Sequence, residues 1–143
     1  MTTTEQLTQV FVDNFVAYYR SHVAHVNITG RNFASDHKLL QKVYEDLQEQ
    51  IDVLAELLRT LDEFMPCEIQ DVLNRSQIPT TELWGDSIEL ISSIRDDMEN
   101  LKAAYQDLME QAEQDNFEQI ANYAQDRILK ITKHIWMLTA TLS

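Results

Sequence analysis

The segment that decides the fold is HKLLQKVYEDLQEQIDVLAELLRTL, residues 37–61. Its apolar side chains recur at alternating spacings of three and four residues, which is the spacing of one face of an α-helix. The residues on this face are His37, Leu40, Tyr44, Leu47, Ile51, Leu54, Leu58 and Leu61. The pattern predicts one long amphipathic helix. We expect this helix to begin near Arg31–Phe33 and to be broken by Met65-Pro66.

A similar helical face precedes this segment. It consists of Leu7, Val10, Phe11, Asn14, Phe15, Tyr18, His22 and His25. Thr3 or Thr4 is the predicted N-cap, because a hydroxyl can accept a hydrogen bond from an unpaired N–H group of the first turn. Asn27–Gly30 is expected to end this helix, with Gly30 in a left-handed conformation. The first two helices are therefore joined by a short loop.

Two further helical faces follow the central segment. The third helix is expected to start after Thr80 or Thr81, and the fourth to be capped by Asp115 or Asn116. The third face is marked by Trp84, Ile88, Ile91, Met98, Leu101, Tyr105 and Leu108. The fourth face is marked by Phe117, Ile120, Ala124, Ile128, Ile131, Ile135 and Leu138. In the long link before the third helix, Cys67–Leu73 is predicted to form one short helix.

The expected architecture is all-α. Only two Gly and two Pro occur among 143 residues, which are too few turn formers for a β-sandwich or barrel. The length fits one domain, residues 1–143. Four helices of roughly 25–30 residues predict a four-helix bundle. If the second and third helices are parallel, the bundle is ferritin-like, with one long crossover that carries the short helix.

The chain is strongly acidic, with 24 Asp and Glu residues against 11 Lys and Arg and a net charge of −13. This charge argues against DNA binding, because nucleic-acid interfaces need basic residues to neutralise phosphates. The single cysteine, Cys67, fits a reducing compartment. No stretch has the length of a membrane span or the pattern of a signal peptide. We therefore expect a cytoplasmic protein with no membrane partner.

Six residues are candidates for binding a metal ion. They are His22, His25, His37, Asp52, Glu56 and His134. A di-iron site inside a ferritin-like bundle is built from Glu-x-x-His pairs. The positions three residues before the four histidines hold Tyr19, His22, Ala34 and Ile131. An ordinary di-iron centre within one subunit is therefore not expected.

A metal site shared between two copies of the chain is compatible with the spacing. In an antiparallel hairpin, His25 and His37 lie at nearly the same height, because Gly30 stands between them. Asp52 and Glu56 are four residues apart and share one helix face. However, Asp52 lies about 22 Å along the helix axis from His37, whereas metal–ligand bonds measure about 2.0–2.2 Å. A twofold axis would place the histidines of one chain beside the carboxylates of the other.

Several short motifs extend over nearly the whole chain. They are His25-Val-Asn-Ile-Thr-Gly30, Asn32-Phe33, His37, Tyr44, Asp52-x-x-Ala55-Glu56 and Lys133-His134-Ile135-Trp136-Met137-Leu138. With the spacing His-x11-His-x14-Asp-x3-Glu, this pattern resembles the Dps family of miniferritins. The resemblance implies a dodecameric homo-oligomer that oxidises Fe(II), with hydrogen peroxide or oxygen, and stores the ferric product inside.

The resemblance also implies which residues bind the iron. The ligands fall on His25, His37, Asp52 and Glu56, shared between two subunits. Imidazole and carboxylate groups with open positions are typical of non-haem Fe(II) sites, although zinc accepts the same ligands. His22 is expected to lie beside this site or at the surface, and His134 to be a packing residue.

The chain departs from the family pattern around the ligands. Val26 replaces the Trp that commonly follows the first histidine, and Leu57 replaces an Arg after the glutamate. Lys38, Gln41 and Lys42 replace acidic residues that commonly follow the second histidine. An Asp at position 41 would help to hold a second iron. These changes keep an alternative open, an assembled but weakly catalytic acidic shell that acts as a structural or metal-sequestering protein.

A second acidic cluster lies around the start of the fourth helix. It consists of Glu113, Asp115 and Glu118. By the resemblance, these residues line threefold pores that concentrate Fe(II) through their negative potential. The alternative is that they only complement the helix dipole.

Overall fold

The chain folds into four long helices and one short helix, and a computed structural model describes all 143 residues. The helices are α1 (Thr3–Asn27), α2 (Phe33–Thr60), α3 (Ile69–Arg75), α4 (Ser87–Gln114) and α5 (Glu118–Leu142). No strand is present, which confirms the all-α class. Each of the five helices is too short or too polar to be a candidate membrane span.

Helices α1 and α2 form an antiparallel hairpin. Close to the loop, His25 stacks on His37. Farther from the loop, the Asn14 side chain donates a hydrogen bond of 2.9 Å to the Leu47 carbonyl oxygen. Gly30 in the loop has a φ of +121°, which a glycine adopts without a Cβ clash. The predicted positive φ of Gly30 is therefore confirmed, and α1 ends within Asn27–Gly30 as predicted, but the residue that leaves the helical conformation first is Ile28, which is extended.

Helix α4 runs antiparallel to α1. Thr3 at the start of α1 bonds to Asp115 at the end of α4, and Arg20 pairs with Asp97 nearer the opposite end. Since α1 is antiparallel to both α2 and α4, the latter two are parallel. The link of residues 61–86 therefore crosses the bundle and carries α3, which confirms the predicted long crossover.

Thirty buried apolar residues form one core between the long helices. The predicted face of α2 contributes Leu40, Leu47, Leu54 and Leu58, all fully buried. Burying a leucine side chain contributes about 1.5–3 kcal/mol. Packing of this face therefore supplies much of the stability of α2.

The prediction that the third helix starts after Thr80 or Thr81 is wrong. Helix α4 starts at Ser87, with Asp86 as its N-cap. The Asp86 carboxylate accepts a hydrogen bond of 2.8 Å from the Glu89 N–H, and the Glu89 carboxylate accepts one from the Asp86 N–H. This capping box satisfies two N–H groups that have no partner within the helix, so it determines where α4 begins.

The predicted burial of Trp84 and Ile88 is also wrong. Trp84 precedes the helix and is 77% exposed, and Ile88 in the first turn is 65% exposed. The buried face of α4 begins with Leu90 and Ile91. The three- and four-residue spacing predicts a buried face that starts too early, because the link before α4 also contains apolar residues.

Two helix starts differ slightly from the predicted residues. Helix α1 is capped by Thr2 instead of Thr3 or Thr4, and the Thr2 hydroxyl accepts a hydrogen bond of 3.1 Å from the Glu5 N–H. The residue before α5 is Phe117, which makes no side-chain cap hydrogen bond. A capping box is therefore present at α1 but not at α5.

The crossover begins earlier than the proline predicts. Helix α2 ends at Thr60 instead of at Met65-Pro66, because Asp62 adopts a positive φ of 62° and turns the chain. The short helix occupies Ile69–Arg75, two residues later than the predicted Cys67–Leu73. The existence of this helix is confirmed, and its boundaries are corrected.

Candidate metal centre

His25 and His37 face each other across the α1–α2 hairpin. Their rings stack with centroids 3.7 Å apart and an interplanar angle of 18°. The Nδ1 atom of each ring lies 2.7 Å from the backbone carbonyl oxygen of the other residue. Because a carbonyl oxygen only accepts, each Nδ1 carries a proton and donates it. Each Nε2 of a neutral ring therefore keeps the lone pair that an imidazole uses to bind a metal ion.

Further rings surround the histidine pair. Phe33 stacks on His37 with centroids 5.0 Å apart, and Tyr44 lies 4.9 Å from the His25 ring. His22 stacks on Tyr44 at 4.0 Å with an interplanar angle of 11°. The His22 ring also lies 6.0 Å from the His25 ring, next to this candidate ligand. These contacts restrict the orientation of both candidate ligands.

Asp52 and Glu56 lie one turn apart on the exposed side of α2. Neither carboxylate forms an ion pair within the chain. Asp52 is about 22 Å along the helix from His37. No three His, Cys, Asp or Glu side chains of one chain lie close enough together to hold a metal ion. The fold therefore brings the two histidines together and leaves the two carboxylates apart from them.

The residues that follow His37 on α2 are basic or neutral, as the sequence dictates. Lys38 and Lys42 are exposed. The Gln41 amide donates a hydrogen bond of 2.8 Å to the Glu45 carboxylate one turn later. No carboxylate at these three positions is available as an additional ligand beside the histidines.

The acidic cluster of Glu113, Asp115 and Glu118 lies exposed around the turn between α4 and α5. Asp115 accepts hydrogen bonds from the Thr3 hydroxyl and N–H at 2.6 and 3.1 Å. The Thr3 hydroxyl, together with the Gln111 amide, lowers the pKa of Asp115. Asp115 therefore ties the end of α4 to the start of α1. The pore-lining role of the cluster stays a prediction.

A buried charged cluster between α2 and α5 was not predicted from the sequence. The Arg127 guanidinium donates two hydrogen bonds to the Asp46 carboxylate, at 2.9 and 2.7 Å, and His134 Nε2 lies 2.9 Å from the same group. Burial raises the pKa of Asp46. The hydrogen bonds and the positive charge that His134 and Arg127 supply have a larger, opposite effect, and they hold the pKa of Asp46 well below its usual range. The seven-residue spacing of Arg127 and His134, two turns on one face of α5, was the available signal.

The family model named Ferritin, described as a ferritin-like domain, matches residues 4–143. A protein named DNA protection during starvation protein from Helicobacter pylori is 27% identical over the full length of both chains. This chain belongs to the Dps family of ferritin-like proteins. Antigen TpF1 of Treponema pallidum is 30% identical, with 96% of this chain and 78% of that protein covered.

Solved structures place this Dps-family chain in the same fold. The Dps protein from Vibrio cholerae superposes with a TM-score of 0.93 at 27% identity, covering 99% of this chain and 89% of that chain. It is described as a member of a broad superfamily of ferritin-like diiron-carboxylate proteins. Helicobacter cinaedi CAIP gives a TM-score of 0.91 at 29% identity, covering 99% and 100%. The ferritin-like fold class is therefore confirmed.

Proposed function

We propose that this Dps-family protein oxidises Fe(II) at sites shared between two subunits and stores the ferric product in a shell of identical subunits. The observation that carries the proposal is the His25–His37 pair, whose Nε2 lone pairs are free while both Nδ1 atoms are held by carbonyl oxygens. Membership of a ferritin-like family supports iron as the metal. The name of the Helicobacter pylori relative supports a protective role under starvation.

The remaining ligands are proposed to come from a second subunit. Asp52 and Glu56 are exposed and unpaired, and they lie too far along α2 to reach the histidines of their own chain. In a twofold dimer, the histidines of one subunit face the carboxylates of the other, and the symmetry creates two equivalent sites. Each site then holds two neutral and two anionic groups, a set that Fe(II) accepts and that zinc can also occupy.

In the proposed reaction, the imidazoles and the carboxylates have different roles. The two imidazoles hold Fe(II), and the two carboxylates favour the more highly charged Fe(III) product. With hydrogen peroxide as oxidant, two Fe(II) ions and two protons yield two Fe(III) ions and two water molecules, so no hydroxyl radical is released. Oxygen is the alternative oxidant. Glu113 and Glu118 are proposed to attract Fe(II) towards an entrance of the shell.

A second candidate function is an assembled acidic shell that sequesters metal with little catalysis. The positions after His37 favour it, because Lys38 and Lys42 add positive charge and Gln41 bonds to Glu45. Added positive charge near the histidines weakens binding of a cation. In this alternative, the shell binds iron but oxidises it no faster than buffer.

Stopped-flow oxidation of Fe(II) by hydrogen peroxide tests the proposal. We expect the double variant Asp52→Ala/Glu56→Ala to fall to the rate of buffer alone, because half of each ligand set is lost. The matched control is Glu45→Ala/Glu49→Ala, which removes two exposed acids at the same spacing on the same helix. This control should keep the fast rate.

Two results distinguish the candidates. A fast rate of Fe(II) oxidation in the Asp52→Ala/Glu56→Ala variant would show that these carboxylates are not ligands of the site. A wild-type rate equal to buffer, with iron still bound, favours the sequestering shell. The oligomer is checked by native mass, since twelve chains of 16.7 kDa make about 200 kDa.

A further inference from the structure

Tyr18 and His22 form a hydrogen-bonded pair on α1, one turn before His25. The Tyr18 hydroxyl lies 3.0 Å from His22 Nδ1, and the two rings meet edge to face at 5.7 Å. Tyr18 is half-buried, whereas its neighbour Tyr19 is 64% exposed. Neither Tyr18 nor His22 belongs to the proposed ligand set. The pair therefore has no role yet in the proposed reaction.

The rings of the pair connect directly to the candidate ligands. His22 stacks on Tyr44 at 4.0 Å, and Tyr44 lies 4.9 Å from the His25 ring. Tyr18 also contacts Tyr44, with centroids 6.3 Å apart. An electron that leaves Tyr18 thus needs to cross only one intervening ring to reach His25. Both helices of the hairpin contribute to this continuous aromatic contact.

A phenol hydrogen-bonded to an imidazole is suited to donating an electron. When a phenol loses an electron it becomes a far stronger acid, and its proton must go to a base at once. With the neutral His22 imidazole protonated on Nε2, its Nδ1 is the acceptor and the Tyr18 hydroxyl is the donor. The base is thus already within hydrogen-bond reach, as proton transfer requires.

Reduction of hydrogen peroxide at a site that holds a single iron requires an additional electron donor. Reduction of hydrogen peroxide to water takes two electrons, but one Fe(II) ion supplies only one. Position 41, beside the histidines, is a glutamine that bonds to Glu45, so it offers no carboxylate for a second iron. With a single Fe(II) bound, the remaining oxidising equivalent would leave as a hydroxyl radical unless the protein reduces it.

We propose that Tyr18, with His22 as proton acceptor, supplies the second electron when a single Fe(II) at the His25–His37 site meets hydrogen peroxide. This inference rests on the proposed function. In the step, Fe(II), the Tyr18 phenol, neutral His22 and hydrogen peroxide yield Fe(III), the Tyr18 phenoxyl radical, protonated His22 and two hydroxide ions. The O–O bond breaks, iron and tyrosine each lose one electron, and the phenol proton passes to His22. A later Fe(II) ion reduces the radical, and the proton returns from His22.

Tyr18 is distinguished from the other nearby phenol by its partner. Tyr44 packs against His22 and lies closer to His25, but its contact with His22 is a ring stack. The structure shows no base that accepts a hydrogen bond from the Tyr44 hydroxyl within the chain. We therefore assign Tyr44 the role of a bridge between the donor and the site.

Rapid-freeze electron paramagnetic resonance tests the proposal. The assembled protein is loaded with one Fe(II) per site, mixed with one equivalent of hydrogen peroxide and frozen. We expect a tyrosyl radical in wild type, its loss in Tyr18→Phe, and a reduced yield in His22→Phe, which keeps a ring but removes the base. The matched control Tyr19→Phe, which removes an exposed phenol from the next position, should keep the radical.

A spin trap for hydroxyl radical gives the second readout. Tyr18→Phe should release several-fold more hydroxyl radical per iron oxidised than wild type or Tyr19→Phe. A radical that persists in Tyr18→Phe, is absent from wild type, or disappears only in Tyr44→Phe would overturn the assignment. Failure of the proposed function looks different, because oxidation would then be slow and insensitive to Asp52→Ala/Glu56→Ala.

Discussion

Asp13 shows how one residue of α1 holds the crossover. Its side chain is 1% exposed and accepts hydrogen bonds from the Gln77 N–H at 2.7 Å and from the Gln9 amide at 3.2 Å. Burial raises the pKa of Asp13 to about 6, although the hydrogen bonds from Gln77 and Gln9 lower it in part. The link that follows α3 is thus anchored to the bundle by a carboxyl group that titrates near neutrality.

This raised pKa predicts a pH-dependent stability. The folded chain binds the Asp13 proton more tightly than the unfolded chain, whose ordinary value is 3.8. The stabilisation from the protonated group is therefore complete below pH 3.8 and is lost as pH rises through about 6. Relative to Asp13→Asn, wild type should gain about 1 kcal/mol of stability from pH 7 to pH 5.

Urea unfolding midpoints at pH 5 and pH 7, at one protein concentration, check this prediction. The control is Asp107→Asn, which changes an exposed aspartate on α4 and should track wild type at both pH values. A pH dependence that is the same in Asp13→Asn and in wild type would contradict the assignment of the titration to Asp13.

At the same scale, the sequence was informative about the histidines but not about their hydrogen bonds. The positions of His25 and His37 around Gly30 were enough to predict that the two residues lie at nearly the same height in the hairpin. Their reciprocal bonds to backbone carbonyl oxygens depend on the exact rotation of each helix, which periodicity does not fix. The Tyr18–His22 pair has the i, i+4 spacing of helix neighbours, but that spacing alone does not distinguish a bond from a solvated face.

Among the elements, the start of α4 depends on its capping box. We expect Asp86→Ala to lower stability by about 1 kcal/mol, because the Glu89 N–H loses its acceptor. The urea unfolding midpoint measures the loss. Glu99→Ala is the control, since Glu99 is exposed in the middle of the same helix. Equal effects of the two substitutions would show that the cap does not stabilise α4.

The helices differ in how well their boundaries could be predicted. The existence of all five was clear, because apolar residues recur at helical spacing and α2 has no Gly or Pro in its interior. The apolar pattern predicts too early a start for α4 because Trp84 continues it, whereas the actual start carries the Asp86-x-x-Glu89 signature of a capping box. The end of α2 depends on the left-handed Asp62, and an aspartate gives only a weak signal for that conformation.

For the whole molecule, the shared site makes a prediction about mixed assemblies. One chain carries His25→Ala/His37→Ala and the other carries Asp52→Ala/Glu56→Ala, and the two are co-expressed. Each mixed dimer then has one intact site and one that lacks all four ligands. With random mixing, about a quarter of all sites should be active, although neither variant alone oxidises Fe(II) rapidly. Stopped-flow rates of the mixed shell measure the recovery.

The control is a mixture of the two separately assembled variants, in which subunits do not exchange before the measurement. No recovery in co-assembled shells that have the native mass would contradict a site shared between subunits. Recovery in either variant alone would show that the missing pair of ligands is dispensable.

How much of the whole molecule could be predicted depends on how far apart in the sequence the contacting residues are. The four-helix bundle and its crossover followed from helix lengths and from the long link. The distance between His37 and Asp52 along one helix was enough to exclude a site within a single chain. The buried Asp46–Arg127–His134 cluster joins residues 81 and 88 positions apart, and no local pattern indicates such pairings.

The mutual anchoring of His25 and His37 has a consequence for how ions are captured. Each imidazole is oriented by the main chain of the other residue, so neither can swing away while its counterpart stays aligned. A disturbance of the five-residue connection between α1 and α2 displaces both nitrogen donors together. We therefore expect the two nitrogen donors to keep or lose their alignment together, so that a substitution in this connection would impair both.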